Sequence, residues 1–393
     1  MHPFTVASLA GWALVVASAA RLRGRPYAAF AGVLLGVHTL SAVALYPHAG
    51  RLGPLFAYLH ATVYVHFLLL ARPRLRSRPF RALVSGPAHY FVAASFLALP
   101  WAAAAALGFA PRALWLPYAL GLLGLVDSLV TREEVVDLPL DGAPVEGLRR
   151  HGRGGARSPR PLRLAQITDP HLGPFMSEGR LARICERAVA RDPDLVLLTG
   201  DFLTMESQGD PGALARALAP LRALPGRVFA CRGNHDLEAP DVVARALESV
   251  GVRLLIDEAA LVETGAGPVQ IVGLDFAWRE RAARMARVCA EHPRVPGALR
   301  LVLLHDPGAF GHLPEGEGDL VLSGHTHGGQ LGLLRLGLPH TVVSALTKIP
   351  DHGFWARGPD RLYVHRGTGH YGFPLRLGVP AEQSLLLVHA AKG

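Results

Sequence analysis

The first 130 residues contain a single acidic side chain, Asp127, and within them five apolar runs succeed one another at residues 4–20, 27–46, 54–71, 88–108 and 113–130. Each is 17 to 21 residues long, close to the ~20 that a helix needs to cross a ~30 Å hydrocarbon core. Nothing else constrains the fold as much: the runs predict a five-span membrane anchor over residues 1–131 rather than five helices of a soluble core. The first run lacks the basic start and small-residue cleavage site of a secretory signal peptide.

The arginines between the runs set an expected orientation. Arg21, Arg23 and Arg25 come after the first run, Arg72, Arg74, Arg76, Arg78 and Arg81 after the third, and Arg132, Arg149, Arg150, Arg153, Arg157, Arg160 and Arg163 after the fifth, against only Arg51 and Arg112 in the other two loops. The expectation is a multi-pass inner-membrane protein with its N-terminus outside and its second half in the cytoplasm. The net charge of +9 lies wholly in the first 130 residues, where ten arginines face Asp127; the remainder holds 30 basic and 30 acidic residues. A nucleic-acid partner therefore loses its electrostatic support. Four histidines, His38, His60, His66 and His89, fall at membrane depth. Such groups are functional candidates, and a haem or metal role is conceivable, but imidazoles hydrogen-bonded within the bundle are the plainer account.

Residues 132–161, rich in Arg, Gly and Pro and without periodicity over 140–161, are expected to be a linker running close to anionic headgroups. Beyond it, short apolar runs at 162–168, 194–199, 227–231, 269–274, 300–304, 319–323, 361–366 and 384–389 alternate with helical patterns at 178–190, 211–224, 240–249 and 278–290. This alternation predicts an α/β fold. Cys185, Cys231 and Cys289 have no CxxC spacing and read as reduced core residues.

The chemistry lies at the ends of the expected strands. In chain order these ends supply Asp169 and His171 (TDPHLG), Asp201 (TGDF), Asn234, His235 and Asp236 (RGNHD), His305 (LLHDPG), and His325 with His327 (SGHTHGG). One Asp or His after a strand is usually a turn residue. Five ends delivering Asp, Asn and His exceed turn chemistry, and α/β sheets bind ligands at the carboxyl ends of their strands. Carboxylate, imidazole and amide oxygen without thiolate make an oxygen and nitrogen site for two divalent metals, not a structural zinc knot.

This ordered set, DPH, GD, GNHD, H and GHTHGGQ, resembles the calcineurin-like metallophosphoesterases over residues 162–393. The closing stretch LYVHRGTGHYGFPLRLGVPAEQSLLLV is similar to the bacterial branch that includes membrane-associated phosphoesterases and UDP-2,3-diacylglucosamine pyrophosphatases, and an anchor before such a domain resembles the transmembrane proteins with a metallophosphoesterase domain. The resemblance implies a four-layer α/β/β/α sandwich holding two divalent ions, manganese, iron or zinc. It implies that Asp169, His171 and His327 bind one ion, that Asn234, His305 and His325 bind the other, and that Asp201 bridges them. His235 would be a proton donor to the leaving group, with Asp236 orienting its ring. Pro170, where Leu or Ile is usual, leaves the ligands in place; His370 stands where a small hydroxyl residue is commoner.

The implied activity is hydrolysis of a phosphoester or pyrophosphate by metal-bound hydroxide. The anchor favours a substrate at the membrane, such as lipid-linked UDP-2,3-diacylglucosamine, with a soluble phosphate ester as the alternative, and Arg232, Arg376 and His370 are candidate substrate contacts. A membrane sensor or scaffold that binds metal without turnover is the competing class, and the intact ligand set argues against it.

Overall fold

The computed structural model describes residues 1–370 and 372–390; the last three residues of the expected catalytic half, 391–393, lie outside them. The chain divides into two compact units: Met1–Leu129 with Met205–Asp210 and Gly372–Leu377, and the remainder. The two short segments in the helical unit depart from the expected boundary near residue 131.

In the helical unit, Pro3–Leu22, Arg25–His48 and Gly50–Leu70 are long and apolar enough to cross a membrane. The fourth expected span is a pair, Arg78–Leu97 and Leu99–Ala106, bent by 62°. Pro100 stands just past the bend, and a proline ring has no amide hydrogen for the preceding turn. The fifth is a helix of 14 residues, Trp115–Ser128, about 21 Å long. It begins only after Pro111 and ends where strand pairing starts. His38 and His60 form a hydrogen-bonded chain from Ser95 Oγ (3.0 Å) through the two rings (3.1 Å) to Ser8 Oγ (2.9 Å), the role expected of buried imidazoles.

The other unit is mixed α/β. Its strands are β1 (Thr131–Pro139), β2 (Val145–Arg150), β3 (Leu162–Ile167), β4 (Leu195–Leu198), β5 (Val228–Ala230), β6 (Arg253–Leu254), β7 (Glu258–Thr264), β8 (Gly267–Leu274), β9 (Leu299–Leu304), β10 (Leu320–Ser323), β11 (Gly353–Gly358), β12 (Asp360–Val364) and β13 (Ala381–His389). They form a six-stranded sheet, ordered β1-β13-β3-β4-β5-β6, and a seven-stranded sheet, ordered β2-β11-β12-β10-β9-β8-β7.

Side-chain alternation explains the packing. In β4, Leu195 and Leu197 join a cluster with Leu301 and Leu303 of β9, so both sheets feed one core. Val196 and Leu198 face the opposite way, against Leu181, Ile184 and Leu247 from the helices Glu178–Ala190 and Pro240–Ser249. Val302 and Leu304 of β9 likewise meet Met285 and Val288 of the helix Arg281–Glu291. The three cysteines are buried and free.

All eight expected strands form, but the linker expectation requires correction. Residues 131–139 pair in parallel with β13, Thr131 opposite Ala381 through Pro139 opposite His389, and 145–150 pair with β11. Burial of Val136 and Leu138 in the shared core explains this; the Gly, Pro and Arg content around them obscures a two-residue period.

Candidate metal centre

β3, β4 and β5 run parallel, as do β9 and β10, so their carboxyl ends bring five loops together. The loops are tied to one another by backbone. Asp169 N donates to Gly200 O and His171 N to Asp201 O, while Gly324 N donates to His305 O. Across the sheets, the His325 amide donates to both oxygens of Asp169, each at 3.0 Å. Five site residues, Asp169, His171, Asp201, His325 and His327, have φ between 46° and 67°, a region that non-glycine residues enter rarely and at a cost of about 1–3 kcal/mol. Such backbone strain persists where the surrounding loops fix it. A Cβ on Gly324 would collide with Asp169 Oδ2, and one on Gly233 with Asp201 Oδ1; glycine is required at both positions to let the carboxylates in.

Two groups of donors result. Asp169, His171 and His327 each place a ligand atom within 4.8 Å of the others, and so do Asp201, His305 and His325. Within the first, His327 Nε2 is 3.4 Å from Asp169 Oδ1 and 3.2 Å from His171 Nε2. Asp201 Oδ2 faces both groups, 3.7 Å from His171 Nε2 and 3.3 Å from His305 Nε2.

The donors fit cations. His305 Nδ1 lies 2.6 Å from Thr199 O; a carbonyl only accepts, so Nδ1 carries the hydrogen and Nε2 points its lone pair into the site. That Nε2 and Asn234 Oδ1 are buried without a hydrogen-bond partner, an arrangement that is costly unless something electropositive meets them. Burial pushes His171 down to about 3, and burial with the neighbouring His305 pushes His325 down to about 4, so both stay neutral donors. Burial disfavours charge on His305 as well, but the facing Asp201 carboxylate carries it up to about 10, so a proton takes the Nε2 lone pair unless a cation displaces it. Asp201 is buried too, yet His305 holds it well below the usual carboxylate range. The point between them strongly attracts positive charge.

The expected roles of two neighbours change. Asp236 does not orient His235: its Oδ2 accepts the amides of Asp201 and Gly233 and its Oδ1 that of Phe202, all at 2.8 Å. It fixes the loops instead. The His235 ring meets Glu238, Nδ1 to Oε1 at 3.0 Å, within the 3-10 turn His235–Glu238. Glu238 is absent from the residues expected at the site, although its spacing of three from His235 is a readable signal. His235 stands beside the donors, its ring centroid 5.5 Å from that of His171.

Of the candidate substrate contacts, Arg232 is clasped by Asp275 through two bonds of 2.8 and 2.6 Å. His370 is buried with its ring 5.3 Å from that of Phe175. Arg376 belongs to the helical unit. An open cleft of about 530 Å³ is lined by Asp201, Asn234, His235, Leu237, Glu238, Trp278 and His325.

Residues 162–329 match the calcineurin-like phosphoesterase family. The chain is 31% identical to the phosphodiesterase YaeI of Escherichia coli (strain K12) over 232 residues, covering 58% of this chain and 82% of that protein. It is 30% identical to a transmembrane protein with metallophosphoesterase domain from Danio rerio (71% of this chain, 62% of that one) and 26% identical to the UDP-2,3-diacylglucosamine pyrophosphatase LpxG of Chlamydia trachomatis (53% and 78%). With its two facing groups of nitrogen and oxygen donors at converging strand ends, the chain belongs to the calcineurin-like metallophosphoesterase family.

Proposed function

We propose that the protein is a membrane-anchored, dimetal phosphoesterase acting on a phosphoester or pyrophosphate that is presented at the membrane. The observation that carries this reading is the position of Asp201, whose one carboxylate oxygen faces both donor groups. Asp169, His171 and His327 would hold one divalent ion, and Asn234, His305 and His325 the other, with Asp201 common to both. Bound there, two such ions would supply Lewis acidity and a strongly acidified water.

The remaining work falls to the chain. His235, whose pKa is raised because Glu238 and the Asp201 charge outweigh burial, holds a proton at its ring for the departing oxygen. Asp236 keeps the amides of Asp201, Phe202 and Gly233 in register. Exposed Trp278 and Leu237 line the cleft beside Asn234, an apolar surface suited to a base or acyl chain. This, the likeness to a pyrophosphatase of a diacylglucosamine nucleotide, and the apolar helices support a lipid-linked substrate. We read the helical unit as five spans with the N-terminus outside, on the arginine distribution, and the other unit as a four-layer sandwich with its site in the cytoplasm.

Full-length protein in detergent, with metal content measured, tests this on a monoester, a diester and a lipid-linked pyrophosphate. Turnover of the pyrophosphate above the other two is expected. Bound metal without turnover on any of them would replace the enzyme by a sensor or scaffold.

A further inference from the structure

The helical unit contains a second kind of histidine pair. His66, in the helix Gly53–Leu70, and His89, in the helix Gly86–Leu97, lie with ring centroids 4.4 Å apart, planes inclined by 60°. Glu206 of the turn Met205–Ser207, in a segment belonging to the same unit, brings Oε1 to 3.8 Å from Nε2 of each ring. All three are buried, at 4%, 8% and 8% exposure. His66 differs from His38 and His60, whose ring nitrogens are all hydrogen-bonded. His66 Nε2 is buried with no hydrogen-bond partner. His89 Nδ1 lies 2.7 Å from Ser85 O, so it carries the hydrogen, and Nε2 is the ring nitrogen on the side of Glu206. That is the arrangement by which a protein fixes a metal-binding imidazole.

We propose that His66, His89 and Glu206 form a metal site of their own, distinct in every residue from the donors on the strand ends, and that it takes a divalent ion of the zinc type. Two imidazoles and one carboxylate without thiolate are a donor set zinc accepts, with a fourth position left for water. Bonds of about 2.0–2.2 Å put tetrahedral donors roughly 3.4 Å apart. The observed spacings, 3.8 Å from Glu206 to each ring and within 4.8 Å throughout, must close by up to about 1.4 Å to reach that geometry, a shift that side-chain rotation can supply. Two imidazoles in their ligand form and a carboxylate sum to one negative charge, which is expensive to bury uncompensated. The Arg76 guanidinium, which donates to Leu69 O at 2.9 Å, lies close enough to act on His66 and offsets part of that charge; a bound cation would offset the rest. A cation at this point would tie the segment 205–210 to two helices.

The test is metal stoichiometry, which does not depend on any phosphoesterase activity. Full-length protein in detergent is stripped with chelator, loaded with Zn2+ alone, and compared with Glu206→Gln and His66→Asn. Each variant should lose about one zinc ion per chain relative to wild type, since a ligand must be present and deprotonated to bind. Cobalt loaded instead should lose the matching share of its tetrahedral visible absorption. Equal stoichiometry in wild type and both variants would overturn the site. Should Glu206→Gln fail to fold, His66→Asn and His89→Asn decide by the same difference.

Discussion

His235 and Glu238 are joined ring to carboxylate, Nδ1 to Oε1 at 3.0 Å, at the two ends of one short turn. Burial opposes a charge on His235, but Glu238 and Asp201 raise its pKa above the ordinary value. If His235 is the proton donor proposed above, that donor is lost as pH rises through its pKa, so this coupling would extend activity toward alkaline pH. Glu238→Gln removes the hydrogen-bonded charge and lowers that pKa. The alkaline limb of kcat/KM should therefore move to lower pH while the acid limb stays. An unmoved alkaline limb would separate His235 from the proton transfer.

Asp201 is the residue on which both donor groups converge, 3.7 Å from His171 and 3.3 Å from His305. Asp201→Asn keeps the shape but removes the charge that two cations would share. Turnover at saturating manganese should fall by at least ~100-fold, with bound metal reduced, because both coordination shells weaken together. Wild-type turnover in that variant would remove the bridging role.

Asp236 offers a different kind of loss. Its carboxylate receives three buried amides, from Asp201, Phe202 and Gly233. Asp236→Ala would orphan these donors, each costing about 1–3 kcal/mol when buried and unsatisfied. The expected result is a lower thermal midpoint together with reduced metal binding, measured by calorimetry and elemental analysis. Weakened activity at unchanged stability would instead favour a direct role at the His235 ring.

The strand-end motifs are legible in the sequence because their chemistry is local: each donor comes directly after its own apolar run, and parallel strands place those ends side by side. Asp236 is harder to read because adjacency to His235 suggests contact, whereas the turn points its carboxylate back at the amides of Asp201 and Phe202. β1 resembles a linker since its partner, β13, lies at the far end of the chain, and no local pattern reports such a pairing. The same distance hides Glu206: nothing in its short turn announces that it meets His66 and His89.

His325 and His327 stand one residue apart, yet they join different groups: His325 with Asp201 and His305, His327 with Asp169 and His171. The backbone makes this division, since both residues have positive φ, 67° and 51°, and a chain bent in this way between them does not present alternate side chains to one point as a strand does. His325→Ala and His327→Ala should accordingly produce complementary half-occupied centres. With manganese loaded, each variant should keep about one strand-end ion and lose the spin coupling of a close pair. Adding back zinc should then distinguish the two by the affinity of the ion that returns. If both variants lost the same ion, the division of ligands between the two positions would have to be redrawn, with Asp201 rather than the His325–His327 loop deciding which group each cation joins.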